Sequence, residues 1–264
     1  MIKHLSPSAL NLLQMCGEAY RRKYIEGQKT TKGTAAAIGI ATHKSAEVDL
    51  TSKKMDGILL PDEAIPDIAS DSFELAWAAD DLELSKEEKQ DKEGTRAKAK
   101  DQTLGLAQLH HGDLAPELVP EHLEHRMEIK LDGLPFSLMG YADVIEVDGT
   151  IRDLKTRGKT PKASDASEDL GLAWYSRLLH VDEGVLPPSL MLDVLVKTKT
   201  PKRATVMTTP NGDHSALLQR IERAAAVIEA GAFLPAQPGH WKCSEKFCEF
   251  YDDCVFGRRA RVSI

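Results

Sequence analysis

The chain has 264 residues, with 34 Lys and Arg against 41 Asp and Glu for a net charge of −7, and 42% of its residues are hydrophobic. That length suits one generous domain or a domain carrying an insertion, and the ordinary composition excludes collagen-like, low-complexity and mainly disordered classes. The acidic balance argues against a protein that coats nucleic acid by charge alone, and leaves room for an enzyme that brings its own divalent cations to a phosphate backbone.

No stretch approaches the ~20 apolar residues of a membrane-spanning helix. Met1 to Pro7 lead into a helix start with no signal-peptide apolar region, so the chain reads as cytoplasmic. Ser6 is placed to cap, and Pro7 fits the first helical position. Ala9, Leu13, Cys16, Tyr20 and Tyr24 then recur with helical spacing, which predicts one helix ending near Gly27. Glycine-spaced residues 33–39 lead to a second predicted helix, Ile40 to Leu50. Residues 51–115 carry alternating charges and few β-branched residues, and read as a solvated helical insertion outside the sheet. Strands are expected from about Leu123, over Phe136 to Val147 and over Thr150 to Thr156. A helix from Ser164 to Leu179, a buried strand from Leu190 to Lys197, a partner strand from Ala204 to Thr208 and a helix from Asp213 to Ala230 follow. The order indicates a single α/β domain over residues 1–264 with a mixed sheet, and a cysteine-bearing tail over 241–264.

The most informative stretch is the presumed hairpin from Gly140 to Thr156, with Asp148-Gly149 at its turn. Asp153 and Lys155 are two apart and share a strand face. A two-residue loop would put Asp143 and Asp153 on opposite faces. A three-residue loop, Val147 to Gly149 with Gly149 left-handed, would set Asp143 directly opposite Asp153. Only the second register, or a bulge of equal effect, gathers both carboxylates and the ammonium. Two carboxylates on one surface repel unless a cation such as Mg²⁺ or Mn²⁺ lies between them. A lysine beside that cation can orient water or offset charge on phosphate. The alternative is a solvated hairpin with a surface ion pair. His43 and Glu47 lie one turn apart on the second helix, and an imidazole is a reasonable further ligand.

The ordered set Leu5-Ser6-Pro7-Ser8, Cys16, Gly39…His43…Glu47, Gly140…Asp143, Asp153-Leu154-Lys155-Thr156, Tyr175 and a terminal cysteine group resembles the RecB-like branch of the PD-(D/E)XK nuclease superfamily. Within it, the chain is most similar to iron–sulfur exonucleases associated with CRISPR adaptation and their phage-encoded relatives. The resemblance covers both ends and the centre, not the 51–115 stretch. It implies a restriction-endonuclease-like mixed sheet flanked by helices and a C-terminal iron–sulfur region. It further implies metal ligation by His43, Asp143, Asp153 and the Leu154 carbonyl, with Lys155 as catalytic lysine and Glu47 and Tyr175 as accessory residues. The family often has Gln four residues before that tyrosine, where this chain has Gly171.

All four cysteines lie near the chain ends, Cys16 and then Cys243, Cys248 and Cys254 in the spacing C-x₄-C-x₅-C. Disulfides do not suit a cytoplasmic protein. A tetrathiolate set can hold Zn²⁺ or a [4Fe–4S] cluster. The pattern fits paired zinc knuckles poorly and is similar to the iron–sulfur nucleases, although their first gap is often shorter. Such a centre would clasp the tail to the first helix through Cys16.

Basic residues group as Arg21, Arg22, Lys23, Lys29 and Lys32; Arg157, Lys159 and Lys162; Lys197, Lys199, Lys202 and Arg203; and Arg258, Arg259 and Arg261. These could flank a backbone-tracking groove, with Tyr20, Tyr24, Trp174 and Tyr175 available to stack bases. No base-reading module is visible. The expectation is a Mg²⁺- or Mn²⁺-dependent DNA exonuclease that prefers single strands or frayed ends, with protein partners in recombination or CRISPR adaptation. The rival is a non-catalytic DNA-binding or assembly subunit on the same fold.

Overall fold

A computed structural model describes residues 2–258. Two compact units emerge from its contacts. One is formed by residues 2–31, 128–140 and 213–258, the other by residues 32–127 and 141–212.

In the first unit, strand β1 (His4–Leu5) precedes helix α1 (Pro7–Met15), whose start is as expected: Ser6 Oγ accepts from the Ala9 N–H at 3.3 Å. The single helix predicted to run to Gly27 is broken. Cys16 is extended, with φ −160° and ψ 100°, and its Sγ accepts from the Ala19 N–H at 3.5 Å as the N-cap of α2 (Gly17–Tyr20). The thiol competes for a backbone donor as a serine would at a cap, so the helix restarts there. A π-helical turn, Arg21–Ile25, completes the segment before Gly27 turns left-handed at φ 67°. Near the other end of the chain lies α9 (Ser215–Ala230), which packs on α1 and stops at Gly231 with φ 64°.

The second unit begins with α3 (Thr34–Asp56), longer than the predicted 40–50 and closed by Gly57 at φ 78°. The charged stretch forms α4 (Ile65–Trp77), the short α5 (Lys86–Gln90) with a Ser85–Glu88 capping box, and α6 (Lys92–Leu109). These helices are not solvated all round. Ile65, Ala69, Ser72 and Phe73 recur on one face of α4, and Phe73, Leu106 and Leu114 join Ile38, Leu50, Val144 and Leu154 in one buried core. Burial of that face stabilises the unit by roughly 1.5–3 kcal/mol per large side chain.

Six strands make one mixed sheet: β1, β2 (Pro120–Ile129), β3 (Ser137–Glu146), β4 (Ile151–Arg157), β5 (Leu190–Val196) and β6 (Lys202–Thr208). Their order is β1-β3-β4-β5-β6, with β2 also pairing β3. The β4–β5 pair is parallel and the β3–β4 and β5–β6 pairs are antiparallel. The predicted 164–179 helix is split at Asp169, whose carboxylate caps the second piece: α7 (Asp165–Glu168) gives way to α8 (Leu170–Glu183), which packs on β4 and β5. Among the described residues, no helix is long and apolar enough to cross a membrane.

Candidate active site and cysteine cavity

The β3–β4 hairpin adopts the three-residue-loop register. Val144 pairs with Arg152 and Ile145 with Ile151, which sets Asp143 opposite Asp153. Gly149 supplies the left-handed position at φ 86°, its N–H donating to the Glu146 carbonyl at 2.8 Å. Buried Arg152 braces the hairpin, donating to Glu146 at 2.8 Å and to Asp193 of β5 at 3.0 Å. At the open end, the Leu154 N–H donates to Asp143 Oδ2 at 2.7 Å, so a carboxylate takes the place of a strand carbonyl there.

Asp153 is 1% exposed, and the Lys155 ammonium lies 2.8 Å from its Oδ1 and 2.6 Å from its Oδ2. Burial pushes the Asp143 and Asp153 carboxyls well above the usual carboxylate range, against the opposing charge of Lys155. Burial also works against charge on Lys155, but Asp153 and Asp143 outweigh it and hold the lysine cationic.

His43 on α3 brings Nδ1 to 3.7 Å from Asp143 Oδ2. Burial, then the Lys155 charge, lowers its pKa, so the ring is neutral and offers a lone pair. Glu47 lines the same cleft of about 370 Å³, but its carboxylate accepts from Lys44 Nζ at 2.8 Å. Tyr175 of α8 is half-buried. A Cβ at Gly171 would stand 3.0 Å from Asp169 Oδ1, 3.5 Å from the Tyr175 ring and 3.8 Å from Asp153 Oδ1, so the backbone here packs closely against the carboxylates and leaves little room for a side chain.

Sequence reasoning missed Glu124 of β2. His43, Glu124 and Asp143 each offer one ligand atom, and these lie within 4.8 Å of one another. Glu124 keeps an exposed outer edge, yet partial burial, followed by the charges of Asp143 and Glu47, pushes its carboxyl up to about 7. Asp153 is not in that trio and faces Lys155 instead. An imidazole with converging carboxylates fits a hard divalent cation such as Mg²⁺ or Mn²⁺.

Cys16, Cys243, Cys248 and Cys254 all line one cavity of about 370 Å³. Two backbone N–H groups point at Cys16 Sγ, from Ala19 at 3.5 Å and from Ala236 at 3.3 Å. Among the described residues no three of the sulfurs lie within 4.8 Å of one another. Four thiols around one cavity are a donor set that either Zn²⁺ or a [4Fe–4S] cluster can use.

The expected basic groove is thinner than its sequence suggests. Arg21 and Arg22 are committed to Glu18, Arg157 to Asp165 and Asp169, Arg203 to Glu117, and Arg258 to Asp252. Lys32 pairs with Asp81 at 2.8 Å. Lys159, Lys162, Lys197 and Lys199 make no ion pair among the described residues. Arg259 and Arg261 lie outside those residues. Tyr20 and Trp174 are core side chains, 0% and 1% exposed, and so cannot stack on a base, while Tyr24 packs on Tyr20 with ring centroids 5.1 Å apart.

A lysine paired to a buried aspartate on one strand, with a second aspartate opposite on the next, is the arrangement that the resemblance to PD-(D/E)XK nucleases implies. The family model described as "PD-(D/E)XK nuclease superfamily" matches residues 4–255, and the chain belongs to that superfamily. No curated protein matches the sequence. Among solved structures, a candidate exonuclease from Eubacterium rectale is similar at 14% identity and a TM-score of 0.55, over 92% of this chain and 86% of that one. A second, SSO0001, aligns at 14% identity and a TM-score of 0.37 over 92% of this chain and 94% of that one. The first of these shows a shared fold.

Proposed function

We propose that the chain is a Mg²⁺- or Mn²⁺-dependent DNA exonuclease of the RecB-like iron–sulfur branch. Its substrate is DNA with free ends, single-stranded or frayed, in recombination, repair or CRISPR-adaptation-like processing in the cytoplasm. The observation that carries this reading is the register that sets Asp143 opposite Asp153 with Lys155 beside it and His43 3.7 Å from Asp143. His43, Asp143, Asp153 and the Leu154 carbonyl would hold the cation. When bound, it would polarise the phosphodiester and make water a stronger nucleophile. Asp153 anchors the Lys155 ammonium, which orients the attacking water or offsets charge that grows on the phosphate oxygens. Neutral His43 contributes a donor atom without adding positive charge. Tyr141, two residues before Asp143 on the same strand face and 45% exposed, supports the single-strand preference, because an open base can stack there and a paired one cannot.

Cys16 and the tail residues Cys243, Cys248 and Cys254 would hold a [4Fe–4S] cluster, supported by their shared cavity and by the terminal cysteine spacing.

The test is cleavage of 5′- and 3′-end-labelled single-stranded and duplex DNA by anaerobically purified protein with Mn²⁺ or Mg²⁺. Wild type should cleave from an end. Asp153→Ala should lose on the order of 10³-fold or more of that activity while folding and iron content stay near wild type. Tight DNA binding by folded, iron-loaded wild type without metal-dependent cleavage would overturn the enzyme reading in favour of an assembly subunit.

A further inference from the structure

Glu124 stands apart from the motifs, and three independent observations meet on it. The first is its backbone. With φ at 45°, Glu124 is the only non-glycine residue in the left-handed region among the described residues. That conformation strains a residue with a Cβ, and it persists only where the surroundings impose it.

The second is what the kink does. An unbroken strand alternates its side chains between two faces, so neighbours never point the same way. Along β2 the buried side chains nevertheless change phase, from even-numbered Pro120 before Glu124 to odd-numbered Met127 and Ile129 after it, and Glu124 lines the cleft beside His43 and Asp143. The break in alternation is a bulge-like turn in β2 whose effect is to re-aim one carboxylate.

The third is the company of that carboxylate. It lies within 4.8 Å of the His43 and Asp143 ligand atoms and makes no hydrogen bond or ion pair among the described residues. Like charges brought together by a strained backbone, beside a neutral imidazole, leave a place for a cation.

We propose that Glu124 is a ligand of the active-site divalent cation beside His43 and Asp143, and that the left-handed backbone at this residue exists to deliver it. The inference rests on the metal-dependent reading above and deepens it. Asp153 is then freer to serve Lys155, and the cation is shared chiefly by His43, Glu124 and Asp143.

Two substitutions separate this role from a packing role. Glu124→Gln keeps the side chain's shape and backbone but removes its charge. Glu124→Gly removes the carboxylate and relieves the strained φ. Mn²⁺ binding is read by electron paramagnetic resonance of free Mn²⁺, and metal-free stability by thermal unfolding. Both variants should bind Mn²⁺ at least ~10-fold more weakly than wild type. Without metal, the melting temperature should stay level in Glu124→Gln and rise by about 2–4 °C in Glu124→Gly. Mn²⁺ affinity within about twofold of wild type in Glu124→Gln overturns the inference. So does a metal-free melting temperature that falls in Glu124→Gly, because the kink would then be a packing feature. Asp143→Asn is the control. If it too binds Mn²⁺ like wild type, the metal-dependent reading itself fails; if it alone loses Mn²⁺, only the assignment of Glu124 fails.

Discussion

Lys155 and Asp153 illustrate how one buried pair sets both charge and chemistry. The aspartate is 1% exposed while the lysine remains 39% exposed, so the ammonium is held from below and open above. Removing the lysine leaves a buried carboxyl whose own burial drives it to the neutral form. Lys155→Ala is therefore expected to cut the cleavage rate by about 10²–10³-fold, while the melting temperature near neutral pH changes little, as single-turnover kinetics and calorimetry would show. A large loss of stability would mean that Asp153 stays ionised without its partner. A second titratable clamp lies away from the cation site: His111 Nδ1 is 2.9 Å from Asp49 and Nε2 is 3.0 Å from Asp62. Burial opposes a charge on the ring, and the two carboxylates more than offset it, so its pKa is raised above 6.5. A raised histidine stabilises fully below its unfolded value and loses that contribution as pH climbs through the folded one. His111→Ala should then cost about 1–3 kcal/mol at pH 5.5 and distinctly less at pH 8.5. Denaturant titrations at the two pH values test this, and an equal cost at both would rule out a charged clamp. Among the candidate site residues, Asp153 and Lys155 are legible as a same-face pair from the strand period, while His43 and Asp143 enter through the ordered motifs of the resemblance, the spacing alone leaving the face of Asp143 open. Glu124 is not, because the burial phase of β2 shifts between Pro120 and Met127, and the φ of 45° that lies in that shift has no signature in the residue pattern.

The elements show where pattern suffices and where it misleads. Two hairpin registers are compatible with the residues from Gly140 to Thr156, and the choice falls to the loop, where Gly149 adopts φ 86° and Val147 joins the turn. Sequence can offer both registers but cannot rank them, since the decisive quantity is a backbone angle. At the first helix the pattern misleads. The spacing of Ala9, Leu13, Cys16, Tyr20 and Tyr24 continues across a break, because a thiol cap interrupts hydrogen bonds without disturbing the apolar stripe. The break has a partner requirement: a Cβ on Gly17 would stand 2.7 Å from the Leu234 carbonyl oxygen and 2.9 Å from its nitrogen. That backbone cannot give way cheaply, because Ala236, two residues on, donates to Cys16 Sγ. Gly17→Ala should therefore push the 233–236 segment off Cys16. The expected cost is about 1–3 kcal/mol of stability, together with a lower iron-to-protein ratio in anaerobically purified material. Wild-type iron content with wild-type stability would show that the close approach is not required.

At the scale of the whole molecule, charge and connectivity matter more than any motif. The net charge of −7 and the pairing of Arg21, Arg22, Arg157 and Arg203 with carboxylates leave few arginines for a phosphate backbone, so the proposed DNA binding would lean on the proposed metal. Connectivity is the other large-scale feature. The unit that carries the cysteines is assembled from three stretches far apart in sequence, and its cavity joins Cys16 to Cys243, Cys248 and Cys254. Closing a loop of that length restricts the unfolded chain strongly, by roughly 4–5 kcal/mol for loops of 100 residues or more when the link is covalent. A metal cluster that exists only in the folded state adds its binding energy to folding. The other unit has its own core around Phe73, Leu106, Leu114 and Leu154 and holds none of the cysteines. If the four thiolates hold the proposed cluster, its oxidative removal should therefore act selectively. Hydrogen exchange should lose protection in α1, α2 and α9 by on the order of 10²-fold or more, while α4, α6, β4 and β5 remain protected. The comparison is made by mass spectrometry on one anaerobic preparation before and after oxidation. Uniform loss across both sets would mean that the two units unfold together, and no loss in α1 or α9 would mean that packing of Leu5, Leu10 and Ile221 holds the unit without the thiolate centre.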